Sequence, residues 1–203
     1  MSVHKEIFEK SDLDLAKRVL SNNHDISAEL FWSLLFWKTP ELFFLSINKS
    51  TKISKEQLST SLSKILLDNF NKTFDSIVII LAKLCDLIEI LSLEPIELHS
   101  RNPPLPNLQD VIFLYITIIY TVFPHVNEER ISFNSSQGIR LCSILRKTRA
   151  IINNNSMIYR DFDRTMKKVS QLINIKHGLL KGLLNGIADQ ITQVPIIQQL
   201  NLE

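Results

Sequence analysis

No glycine occurs before Gly138, and this constrains the fold more than any other feature of the chain. Tight β-hairpins draw on glycine because it alone takes positive φ without steric cost, so a long glycine-free stretch is poor material for a sheet protein. The seven prolines stand at 40, 95, 103, 104, 106, 124 and 195, where they separate helix-length segments instead of marking closely spaced turns. An all-α fold is the expectation.

Helix start signals agree. Ser11 precedes 12–20, Ser27 precedes 28–37, and Thr39 is followed by Pro40 and Glu41, a cap with proline at the first helical position. Ser54 with Gln57 forms a capping box for a helix to about Phe70, and Thr73 caps a second segment to about Leu93. In that segment Phe74, Ile77, Leu81, Leu84, Ile88 and Leu91 recur on one face, which predicts a central position in the core. Val111 to Phe123 is the most apolar run and is closed by Pro124. It is too short for a bilayer, which needs about twenty residues, and is read as a buried helix capped by Asn107. Its β-branched content also suits a central strand, but no second strand candidate exists to pair with it.

Ser136 opens a helix to about Ile152. After Asn153-Asn154-Asn155, Ser156 is expected to cap a segment with an apolar stripe of Ile158, Phe162, Met166, Val169, Leu172 and Ile173. The sum is a single domain, 1–203, of roughly eight helices, an irregular bundle, with stacked helical pairs of HEAT type as the alternative. Residues 94–107 form a proline-rich connector.

Charge is divided sharply. Residues 130–181 hold eleven Lys/Arg against Asp161 and Asp163, a net +9, whereas 1–129 hold twelve Lys/Arg against seventeen Asp/Glu, a net −5. Such a split presents a basic region to an anionic partner or pairs the two halves internally. Arg146, Lys147 and Arg149 crowd one turn, and Arg160, Arg164, Lys167 and Lys168 fall at helical spacings on a polar face. If the two helices pack antiparallel their basic faces merge, which suits phosphates or an acidic protein surface. A solvated face with internal salt bridges is the alternative. Tyr159 and Phe162 are the only aromatics after residue 134, which weakens the nucleic-acid reading because base stacking needs aromatic platforms.

Two further features point to contacts. Gly178, Gly182 and Gly186 form a bare stripe on a helix, at a cost of about 1 kcal/mol each relative to alanine, which close approach of another backbone offsets. That backbone belongs to a neighbouring helix, a second copy, another protein or a membrane surface, unless the segment is not helical. The apolar tail after Pro195 is more plausible docked than free in water. Trp32 and Trp37 lie in a dense aromatic segment that serves as core or as anchors in a partner groove.

Catalytic patterns are missing. His4, His24, His99, His125 and His177 are far apart, Cys85 and Cys142 make no ligand or redox spacing, and there is no phosphate loop, nucleophile elbow or zinc-protease helix. Glu94, Glu97 and His99 cluster in the connector, where a solvated loop explains them better than acid/base chemistry. No secretory signal precedes the charged residues of the first thirty, so the expected location is cytoplasm or nucleus. The expectation is therefore a non-enzymatic interaction module, a subunit or adaptor of an intracellular complex, without cofactor or metal. Its partner is another protein or a second copy. A nucleic-acid-associated protein using 140–168 is the alternative, and peripheral membrane contact a weaker one.

Overall fold

The computed structural model describes residues 14, 17–18, 25–36, 40–93, 106–127 and 136–173. These residues are helical apart from short caps and turns, with no strand among them. Six helices have described bounds: α1 Ala28–Leu35, α2 Pro40–Ser50, α3 Lys55–Leu93, α4 Leu108–Asn127, α5 Ser136–Asn154 and α6 Ser156–Leu172. The Val111–Phe123 run is helix, not strand.

Three of the expected caps are in place. Ser27 Oγ accepts from Leu30 N at 3.2 Å, Ser54 Oγ from Gln57 N at 3.1 Å and Asn107 Oδ1 from Gln109 N at 2.9 Å. Each supplies an acceptor to an N–H that the first helical turn leaves without one. Pro40 is the first residue of α2, whereas Thr39, Trp37, most of the Ser11 segment and most of the connector (94–105) lie outside the described residues.

Local differences from expectation have simple causes. The chain does not break near Thr73: α3 runs unbroken through 69–73 for 39 residues. Asn and Thr are weak helix formers by about 0.7 kcal/mol at most, and without glycine or proline no residue there is strong enough to stop the helix. Helix α4 likewise continues past Pro124 to Asn127: the lost N–H and the clash of the ring with the carbonyl of Tyr120 fall in the last turn, where little helix follows to be disrupted. The cap of α6 is Asn155, one residue before the expected Ser156. Its Oδ1 accepts from Met157 N at 3.1 Å and Ile158 N at 3.2 Å.

Helix α4 is enclosed, with every residue from Val111 to Val122 buried. Helix α3 packs against α1, α4, α5 and α6, and buried side chains from all six helices join one apolar cluster. Six helices sharing one core make the described part of the chain an all-helical bundle. Among the described residues no helix is long and apolar enough to cross a membrane.

Candidate interaction face on helices α5 and α6

The basic residues sit on two helices joined by one non-helical residue, Asn155, with φ −140° and ψ 107°. Thr148 and Phe162 stand seven residues to either side of it and meet the same side chain. Thr148 Oγ1 lies 2.6 Å from Tyr115 OH, and the Phe162 ring packs edge-on to Tyr115 with centroids 6.1 Å apart. The two helices thus fold back at Asn155 and close over α4.

That closure includes a buried polar chain. Thr148 has one hydroxyl proton and donates it to Ile144 O at 2.9 Å, so Tyr115 OH donates to Thr148 Oγ1. The Cys85 thiol also reaches Thr148 Oγ1, at 3.4 Å. Burial pushes the Cys85 thiol and the Tyr115 phenol above their ordinary values, because neither anion is solvated there. Both groups stay protonated and serve packing. Cys142 is buried as well, and its thiol is held up by desolvation despite Arg146 nearby.

The cations of α5 and α6 have different fates. Lys147 Nζ reaches across to α3, 2.7 Å from Asp86 Oδ1 and 2.6 Å from Glu89 Oε2, and these hydrogen bonds raise its pKa. Arg149 is half-buried and engaged. Lys167 pairs with Asp163 one turn back, at 2.8 Å. Arg140, Arg146, Arg160, Arg164 and Lys168 are exposed and have no acidic partner among the described residues.

Register sets the shape of the α6 face. Ile158, Phe162, Met166 and Val169 are buried, and at 100° per residue Arg160, Arg164, Lys167 and Gln171 fall on the opposite side. Lys168 and Met157 border them, and Met157 is 73% exposed. Asp161 and Asp163, both half-buried, flank this stripe on its two sides. Met157 was missed as a candidate, although its position outside the apolar register placed it on the polar face.

The other sequence candidates divide cleanly. Lys147 is turned away from the α6 stripe and toward α3. Trp32 is fully buried and its Nε1 donates to Leu58 O at 2.8 Å, with Phe31 and Phe36 against its ring. It holds α1 to the start of α3, so it is a core residue and no surface anchor. Gly178, Gly182, Gly186 and Trp37 lie outside the described residues, as do His99, Glu94 and Glu97. Among the described residues no group of His, Cys, Asp and Glu is placed to hold a metal ion.

Comparisons with protein-family models, curated proteins and solved structures return no match for this chain.

Proposed function

We propose that this chain is a non-enzymatic helical interaction module, a subunit or adaptor of an intracellular complex, that docks through the solvent face of α6. The observation that carries this reading is the placement of Arg160, Arg164 and Lys168. All three are exposed opposite the core face of their helix and have no acidic partner among the described residues. A large apolar side chain, Met157, stands exposed beside them. Charge that a fold has not neutralised is available to a partner, and an exposed apolar residue inside the charged field adds an anchor.

The test is affinity purification of the intact chain and of the Arg160→Glu, Arg164→Glu, Lys168→Glu triple variant, read by mass spectrometry. Circular dichroism checks that both are folded. The expected result is a defined partner retained by the parent and lost from the variant. An unchanged partner set with the reversed face would overturn the reading.

A second reading has one observation in its favour. Tyr159, next to Arg160, is 44% exposed, which offers a single aromatic platform beside a basic stripe and so suits single-stranded nucleic acid. It predicts retention on DNA or RNA that weakens steeply with salt, as released counterions require. For lipid the face is less apt. The apolar stripe of α6 is spent on the core, so this helix presents a bilayer with charged residues and Met157 but no apolar face.

A further inference from the structure

We infer that the α6 stripe is a receptor for an acidic helical segment of another protein, whose carboxylates align with Arg160, Arg164 and Lys168 and whose apolar anchor seats on Met157. This rests on the docking reading above and names its partner class.

Three observations select that occupant. The cations repeat every four residues along one helix, a step of about 6 Å. Carboxylates four apart on a second helix repeat at the same step, and each such helix presents them in one row. Next, Asp161 borders the stripe on one side and the Asp163–Lys167 ion pair borders it on the other. They confine favourable potential to a narrow line, which a row of carboxylates satisfies and a broad phosphate surface does not. Finally, Met157 lies within the face and is among the most exposed large apolar side chains described. A sugar–phosphate backbone gives a thioether nothing to pack against, whereas an apolar residue of a helix does.

Neither the segment after α6 nor helix α3 offers a row of carboxylates four apart. Segment 174–203 holds Lys176 and Lys181 against Asp189 and Glu203, and is charge-balanced. The acidic pair on α3, Asp86 and Glu89, is already taken by Lys147, so a second copy offers no spare acidic row there.

The experiment uses the full chain and two synthetic alanine-rich peptides of about twenty residues, long enough to be helical in part. In one, glutamates stand at every fourth position with a leucine one turn before the first. In the other the same residues are dispersed around the helix. Fluorescence anisotropy should show the aligned peptide binding at least about tenfold more tightly, a difference of about 1.4 kcal/mol. Binding should fall with salt and vanish in the triple reversal, and Met157→Ser should weaken it without altering the circular dichroism. Equal affinity for both peptides overturns the inference. So does a preference for a single-stranded oligonucleotide or for anionic lipid vesicles over the aligned peptide. Should charge reversal still strip a natural partner while the aligned peptide gains no preference, the helical-segment inference fails and the docking reading stands. Should reversal leave the natural partners unchanged, the docking reading itself fails.

Discussion

Helices α5 and α6 carry similar densities of positive charge, yet the bundle uses them in different ways. On α5, two of the four cations are engaged, Lys147 with two carboxylates of α3 and Arg149 partly enclosed, while Arg140 and Arg146 are exposed. On α6, Arg160, Arg164 and Lys168 are exposed and have no acidic partner among the described residues. The difference teaches that charge density alone does not mark an interaction face. What separates a structural cation from an available one is whether its side of the helix passes within reach of an acid on another element. That depends on register and on the packing partner together.

The sharpest way to break the comparison is on α6 itself, where two residues two positions apart serve opposite roles. Phe162 is buried against Tyr115, so Phe162→Ala should cost about 3 to 5 kcal/mol through lost burial and the cavity left behind. Arg164→Ala, on the exposed face, should stay within about 0.5 kcal/mol. Urea unfolding followed by circular dichroism measures both. Comparable losses from the two variants would mean that the basic face is structural, and the contrast between α5 and α6 would collapse.

A middle-sized effect is expected where α5 meets the core. Thr148→Val keeps the shape and removes the oxygen that accepts from Tyr115 and lies beside Cys85. Leaving buried donors unsatisfied costs about 1 to 3 kcal/mol. Tyr115→Phe in the Thr148→Val background should then recover part of the loss, because one orphaned donor goes with it. If the double variant is no more stable than Thr148→Val alone, the hydroxyl pair does not act as a unit, and the inner side of α5 is held by apolar packing only.

Much of this architecture was legible in the sequence because it is written in local signals. Ser27, Ser54 and Asn107 each cap the helix that follows, and the stripe Ile158, Phe162, Met166, Val169 marked the buried side of α6. Its complement, the basic face, followed from the same register. What escaped depended on competition or distance. Asn155 and Ser156 rank almost equally as caps, and only the end of α5 at Asn154 decides between them. The run near Thr73 resembles a helix start, and neither its asparagines nor its threonine costs enough to end α3. Lys147 was indistinguishable from Arg146 in the chain, since Asp86 and Glu89 lie some sixty residues away. Trp32 suits a core first and a partner groove second on sequence alone, and the bond from its indole to Leu58 O places it in the core.

The smallest predicted effect tests the anchored cation directly. Lys147→Met keeps most of the aliphatic stem, so it removes the ion pairs with little loss of packing. The side chains of Lys147, Asp86 and Glu89 are 40%, 61% and 41% exposed, which leaves the pairs largely screened by water and limits the loss to about 1 kcal/mol or less. Its pH dependence identifies its origin. The folded state holds the lysine above its ordinary value of 10.5, so the folded chain keeps this proton at a pH where the unfolded chain has released it. Stability from the pair is therefore fully present below that ordinary value and declines as pH rises through the folded one. The difference in stability between parent and Lys147→Met should be constant from neutral pH to about 10 and shrink beyond it. Tyr115 also favours its protonated form in the fold and is common to both proteins; the Cys85 thiol is held up by burial and pulled down in part by Lys147, so both proteins are compared in a Cys85→Ala background. A difference that grows with alkaline pH, or that is zero throughout, would show that Lys147 is as free as Arg164 and that the two helices present their charge in the same way.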